Sequence, residues 1–330
     1  MRWHVFKWFI ASLVLIVMAP PLLGQNADEA NRPMFDILDI EKRLADHLRA
    51  LTVTIGERSV ARPENLAKAE RYIEDFYRDI GLPVRRQPYR YGGAEVANVV
   101  ADLSPKANPA RRYLLGAHYD SVSGTVGADD NASAVAVQLE TARLLKSMEN
   151  QEGLDVAVKF VSFALEEPPV FGTSRMGSRV CAKGAKQAEE VIDGMICLEM
   201  VGYTCAQPGC QDYPFSLTFL GYPKVGNFIG LVGNLKSRGF TNALLRAFRK
   251  NPDLPAVKLT VPFSGWLVPA VRLSDHSSFW DQGYRAVMVT DSAFYRNPHY
   301  HLSSDTMEKL DYRFMAELVE SLIIFFLSPR

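Results

Sequence analysis

The residues of this chain that can do chemistry are carboxylates and histidines, and they come in short clusters. His118 and Asp120 stand in HYD, Asp129 and Asp130 in ADD, Glu166 and Glu167 in LEE, Glu199 in LEM, and His299 and His301 in HYH. Imidazole nitrogen together with carboxylate oxygen is the donor set of zinc and similar divalent ions. The number of acids suggests two ions, about 3.5–4 Å apart, which need a bridging carboxylate and further N or O donors. Clustered without a cation, the same carboxylates would have raised pKa values and would cost stability. In FALEEPP an apolar run delivers two adjacent glutamates. Neighbours on extended backbone point in opposite directions, so one can bind a metal while the other moves protons.

Such clusters need a scaffold that brings them to one place. FDILDIEKRLADHLRAL and ENLAKAERYIEDFYRDI carry helical periodicity. VRRQPYRY, EVANVVADL and RRYLLGAHYD then read as strands, and NASAVAVQLETARLLKSM as a helix with Asp130 or Asn131 at its N-cap. VAVKFVSFAL, VIDGMICLEMVGY, FSLTFLGY, VKLTVPF and YRAVMVTD follow as strands, with TNALLRAFRKN, DHSSFWDQG and DYRFMAELVESLIIFFL as helices between or after them. The expected fold class is α/β, a mixed, mostly parallel central sheet flanked by helices. The clusters then fall at strand ends, where open sheets bind ligands.

Composition excludes little but directs the reading. At 330 residues with 48% hydrophobic content the chain can bury one large core. With 37 basic and 37 acidic residues interspersed, bulk charge suggests no nucleic-acid partner. Residues 1–24 read as a signal peptide or N-terminal anchor: Arg2 and Lys7 precede an uncharged run from Trp8 to about Leu23. That run is short for a bilayer span and ends at Pro20 and Pro21, which favours a cleaved signal, an exported protein and a cut before Gln25, with membrane anchoring as the alternative. Residues 25–330 are expected to form one catalytic domain, with the helices of 25–82 packed on it. Of Cys181, Cys197, Cys205 and Cys210, the last two flank the turn sequence AQPG and are the first expected disulfide; a four-cysteine zinc knot lacks any C-x2-C pair. Neither G-x-S-x-G nor H-E-x-x-H occurs, which disfavours a serine hydrolase and a single-zinc protease of that type.

GAHYDSVSGTVGADDNASAVAVQLETARLL, SFALEEPP, CLEMVGY, SDHSSFWDQGYRAVMVTDS and RNPHYHLSSDT resemble, in order, the successive motifs of the di-zinc aminopeptidases of metallopeptidase family 28, over roughly residues 97–327. The resemblance implies a zinc-aminopeptidase α/β sandwich, two Zn2+ ions and a peptide substrate. It makes His118 a ligand oriented by Asp120, Asp130 the bridging ligand, Glu166 the general base, and Glu167 and His301 ligands of the other ion. Glu199 would complete the His118 ion where the family usually has aspartate, so an extra methylene must be absorbed. Tyr300 matches a tyrosine that bonds the substrate carbonyl as it becomes an oxyanion. Asp129, Asp275 and His276 are expected to hold loops, and His299 to be exposed or to line the cleft. The Asn131-Ala132-Ser133 sequon is expected to be an accident of the motif. Segments 205–213 and 262–273, with Phe263, Trp266 and Leu267, are the expected cleft walls. The alternatives are a glutamate-type carboxypeptidase, which would need a basic group such as Arg175, Arg272 or Arg296, a glutaminyl cyclase, or a non-catalytic ectodomain.

Overall fold

Strands β3 (Arg111–His118), β4 (Val156–Phe163), β5 (Gly194–Glu199) and β8 (Ala286–Thr290) are buried along most of their length. Their side chains are apolar on both faces, as in a sheet covered on both sides. Outside them lie β1 (Val84–Tyr91), β2 (Ala94–Leu103), β6 (Ile229–Asn234) and β7 (Ala256–Val261), giving the eight-strand order β1-β2-β4-β3-β5-β8-β6-β7. Pairing is parallel for β3 with β4 and β5, for β5 with β8, and for β6 with β7, and antiparallel elsewhere. The computed structural model describes residues 35–149, 154–214, 217 and 221–328, so the N-terminal segment expected to be a signal or anchor lies outside them.

Strand alternation sorts the core into two layers. Leu115, Ala117, Ile196, Leu198, Val287 and Val289 face one way, into a cluster shared with α2 (Pro63–Asp79), α3 (Ala134–Ser147), α5 (Arg238–Phe248) and α7 (Tyr312–Leu327). Leu114, Val161, Phe163, Met195 and Cys197 face the other way, toward α4 (Gly177–Gln187) and α6 (His276–Asp281). Helix α1 (Ile37–Leu48) packs over α3 and α7, which is why α3 is buried nearly all round. Its one glutamine is satisfied inside: Gln138 donates to the carbonyls of Leu115 and Val161 and accepts from Ser162.

The α/β architecture and the N-terminal amphipathic helices are as expected, and the Cys205–Cys210 disulfide is formed while Cys181 and Cys197 are free and buried. Three readings need correction. Strand β6 was not legible because IGLVGN carries two glycines of poor strand propensity; a Cβ on Gly233 would stand 2.2 Å from Thr241 Oγ1 of α5. FSLTFLGY shows no strand at its described residues, and most of it lies outside them. Neither Asp130 nor Asn131 caps α3, which begins at Ala134 after a separate turn over Ala128–Ser133. The Asn131 side chain is spent instead on the Leu198 carbonyl and the Met200 N–H.

Candidate metal centre

The parallel strands β4, β3, β5 and β8 deliver their C-terminal ends to one rim, where the chain turns from one side of β3 to the other. His118 is the last residue of β3 and is fully buried. Its Nδ1 lies 3.3 Å from Asp120 Oδ1, and its Nε2 lies 3.4 Å from Asp130 Oδ1 and 3.6 Å from Glu199 Oε2. The second oxygen of Asp130 belongs to another group: His301 Nε2 stands 3.2 Å from Asp130 Oδ2 and 3.3 Å from Glu167 Oε2. Asp130 therefore reaches both donor groups, one with each oxygen.

Leu165 has φ 59°, a left-handed turn that lifts the next two residues off β4. Both of their N–H groups then donate to Asp120, Glu166 to Oδ1 and Glu167 to Oδ2, each at 3.0 Å. One carboxylate thus stands beside the His118 ring and fixes the backbone under both glutamates. His301, at φ 58°, and Met200, at φ 45° directly after Glu199, are the other strained positions beside donors. Strain of this kind persists only where the surroundings over-determine it, and it concentrates at functional sites.

The donor spacing fits zinc. Two ligand atoms about 2.0–2.2 Å from one tetrahedral ion stand roughly 3.3–3.6 Å apart. The four separations within the two groups run from 3.2 to 3.6 Å. Neither nitrogen of buried His118, nor Glu167 Oε1, has a hydrogen-bond partner. Glu199 reaches the same range despite its additional methylene, with Ser274 donating to its Oε2 at 2.6 Å. Glu166, 3.9 Å from His118 Nε2, lies just beyond such an edge.

Supporting residues lock these loops together. Asp129 accepts from the Gly202 N–H and the Asn297 side chain, as expected of a loop-holding residue. Asp305, which sequence reasoning did not single out, accepts from the N–H groups of both Asp129 and Asp130 and so ties their loop to that of His301. Arg58 was also missed: it is wholly buried and donates to the carbonyls of Tyr119, Val126 and Gly127, which flank the His118 and Asp130 loops. Gly127 is needed there, because a Cβ would stand 2.1 Å from the Asp130 carbonyl. His276 stays outside the donor groups: its Nε2 bonds the Val271 carbonyl, and burial pushes its pKa down to about 3. His299 is half-buried against Ser304 and Tyr203. The Asn131 sequon is buried, out of reach of a glycan.

The model of Peptidase family M28 matches residues 98–325. The chain belongs to peptidase family M28. This M28 member is therefore a hydrolase of the peptidase type. It is 37% identical to YfbL of Escherichia coli (strain K12), over 86% of each chain. A probable zinc metalloprotease of Pyrenophora tritici-repentis is 28% identical over 63% of the chain, which spans about half the length of that relative (49%). Among solved structures, the LapA aminopeptidase of Legionella pneumophila superposes with a TM-score of 0.66 at 17% identity, covering 88% of this chain and 72% of LapA. The glutaminyl cyclase of Porphyromonas gingivalis gives 0.62 at 19%, covering 88% and 98%. Likeness at this identity shows the shared fold.

The carboxylates of this cluster crowd one another in a buried place. Burial raises Glu166 well above its usual pKa against the pull of His118, and the charges of Glu199 and Glu167 add to the rise. Glu167 is pushed up to about 8, by burial first and then by Asp130. Burial would raise Asp130 too, but His118 and His301 beside its two oxygens draw it down to about 2. A divalent ion in each group would relieve this crowding, since added positive charge favours the ionised carboxylates.

Proposed function

We propose that the chain is a zinc-dependent aminopeptidase that removes apolar N-terminal residues by a two-ion mechanism. The observation that carries this is Asp130, whose two oxygens complete two separate donor groups, with Glu166 as a further carboxylate 3.9 Å from His118 Nε2. His118, Asp130 and Glu199 would hold one ion, and Asp130, Glu167 and His301 the other. Zinc bound there supplies Lewis acidity, which lowers the pKa of water and polarises a carbonyl.

The protein's own residues do the rest. Glu166 takes one proton as the attacking water forms its C–O bond, then gives that proton to the amine as the C–N bond breaks. Tyr300 lines the cleft beside Glu199, and burial with the nearby carboxylates raises its hydroxyl pKa, so it stays a donor. That hydroxyl would donate to the substrate oxygen as negative charge develops. Asp120 keeps His118 and the glutamate pair in register.

A pocket of about 870 Å3, counting its open mouth, adjoins Glu199 and Tyr300. Phe228, Leu231, Met288 and Phe294 are among its walls. Most of its polar walls are already engaged, Tyr213 donating to the Pro223 carbonyl, Tyr222 to that of Lys258, and Ser292 to Gln211, while Asp212 and Tyr300 stand at its polar end. A polar side chain entering it would lose its water and gain few partners, so the pocket favours an apolar one. Of the two expected cleft walls, Ala270, Val271 and Leu273 come from one, and Asp212 and Tyr213 from the other. Of the three arginines a carboxypeptidase could use, Arg272 is engaged with Ser264 and Asp281 and Arg296 bonds Gln211 through Nε, while the exposed Arg175 forms no side-chain ion pair among the described residues.

A panel of chromogenic aminoacyl substrates tests the reading. Leucyl and phenylalanyl substrates are expected to be cleaved at least about 100-fold faster than aspartyl or N-acetylated ones, with activity lost to a zinc chelator and restored by zinc. Cleavage of blocked peptides only, or cyclisation of N-terminal glutamine without hydrolysis, would overturn it.

The bridging role has its own expected result. Asp130→Ala removes a donor from both groups, so zinc measured by elemental analysis should fall at both positions together. Glu199→Ala should cost only the ion of the His118 group. Loss of a single ion in Asp130→Ala would remove the bridge from the mechanism.

A further inference from the structure

The charge of this chain is zero overall but not locally. From Tyr213 to Ser274 there are eight basic residues and a single acid, Asp253. Arg272 pairs with Asp281. None of the other seven, Lys224, Lys236, Arg238, Arg246, Arg249, Lys250 and Lys258, forms an ion pair with a side-chain carboxylate among the described residues.

Most of them gather at one edge of the sheet. Arg238, Arg246 and Arg249 recur at helical spacing along α5 and just past its end, so they share its outer side. Helix α5 packs on β6 and on the edge strand β7. Lys258 of β7 reaches across to Asn242 of α5, and burial together with the charges of Arg238 and Arg249 draws its pKa down.

Large apolar side chains are exposed where these same strands end. Asn234 and Val261 are paired residues at the ends of β6 and β7. Leu235 follows the first and is 60% exposed; Phe263, Trp266 and Leu267 follow the second and are 72%, 66% and 64% exposed. Asn234 also bonds Ser264, which holds the two segments side by side.

We propose that this edge, α5 with β7 and the Phe263–Leu267 segment, docks on the surface of an anionic phospholipid bilayer. Unpaired Lys and Arg are attracted to the negative surface potential, and Trp, Phe and Leu insert at the headgroup level. A nucleic acid would use the cations and could stack on Phe263 and Trp266 but would leave Leu235 and Leu267 without a partner, so the combination favours lipid. The inference is independent of the proposed catalytic chemistry.

Co-sedimentation of the full chain with vesicles tests it, comparing phosphatidylglycerol/phosphatidylcholine mixtures with pure phosphatidylcholine. Each basic residue near such a surface contributes roughly five-fold to partitioning. Binding to anionic vesicles is therefore expected to exceed binding to neutral ones by at least about ten-fold, falling with added salt. Arg238→Glu with Arg249→Glu should lower anionic binding at least roughly 25-fold, and Trp266→Ser with Leu267→Ser should lower it further, with Tm unchanged in the charge variant. The N-terminal apolar run, Arg2 and Lys7 are common to all these proteins, so the differences between variants read this edge. Equal binding to both vesicle types would overturn the proposal, as would an anionic preference that survives the charge reversals. Salt-sensitive binding of an unstructured RNA oligonucleotide by wild type, without the vesicle preference, would also overturn it.

Discussion

Glu166→Gln is expected to lower kcat by about 10²–10⁴ while zinc content, KM and the far-UV circular dichroism stay at wild-type values. The amide keeps the size of the side chain but cannot accept the proton of the attacking water or return it to the leaving amine. A thousand-fold loss corresponds to about 4 kcal/mol of transition-state stabilisation. The adjacent substitution separates the roles. Glu167→Gln weakens a donor 3.3 Å from His301 Nε2, so it should lose zinc from that group, with turnover falling as a consequence. The contrast rests on one geometric fact: both residues hang from Asp120 through their N–H groups, yet Glu166 lies beyond ligand spacing and Glu167 within it. Undiminished kcat in Glu166→Gln, measured with zinc bound, would remove it as the base. Loss of zinc in that variant would instead make it a ligand.

How far this was legible differs from residue to residue, for physical reasons. Donors at strand ends announce themselves, because a carboxylate or histidine directly after an apolar run has no structural purpose of its own; His118, Glu166, Glu167 and Glu199 all stand so. Their partition between two groups was not readable from the strands. It depends on Asp130 and His301, which sit on irregular backbone where no periodicity operates. The start of α3 was misread for a related reason: Asp130 and Asn131 have the side chains of caps but are spent on the site and on Leu198 and Met200. Strand β6 was hidden by its glycines, one of which, Gly233, lets α5 approach. Asp305 and Arg58 gave no signal at all. Each lies in a polar stretch that reads as a solvated loop, and only the folded chain shows where its hydrogen bonds go.

Arg58→Met is expected to destabilise the fold by about 3–5 kcal/mol, because several hydrogen bonds from a buried charged donor, worth roughly 1.5–3 kcal/mol each, are lost together. That should appear as a fall in Tm on the order of 10 °C. Its guanidinium donates to five main-chain carbonyls, those of Leu51, Gly56, Tyr119, Val126 and Gly127. Methionine would fill the space and leave all five acceptors, three of them on buried residues, without that donor. Burial brings the Arg58 pKa down to about 10, against the charges of Asp120, Asp305, Asp130 and Glu167, so the group is still a cation at neutral pH. Three of its five acceptors lie between Tyr119 and Gly127, the segment that joins His118 to Asp130. The second expected effect is therefore weaker zinc binding at temperatures where the variant is still folded, because the bridging carboxylate loses its fixed position. The conservative change Arg58→Lys puts a single ammonium nitrogen where the guanidinium has three, so it should restore only part of the Tm. A methionine variant that melts and binds zinc like wild type would show that the N-terminal helices, and not this side chain, hold the loop.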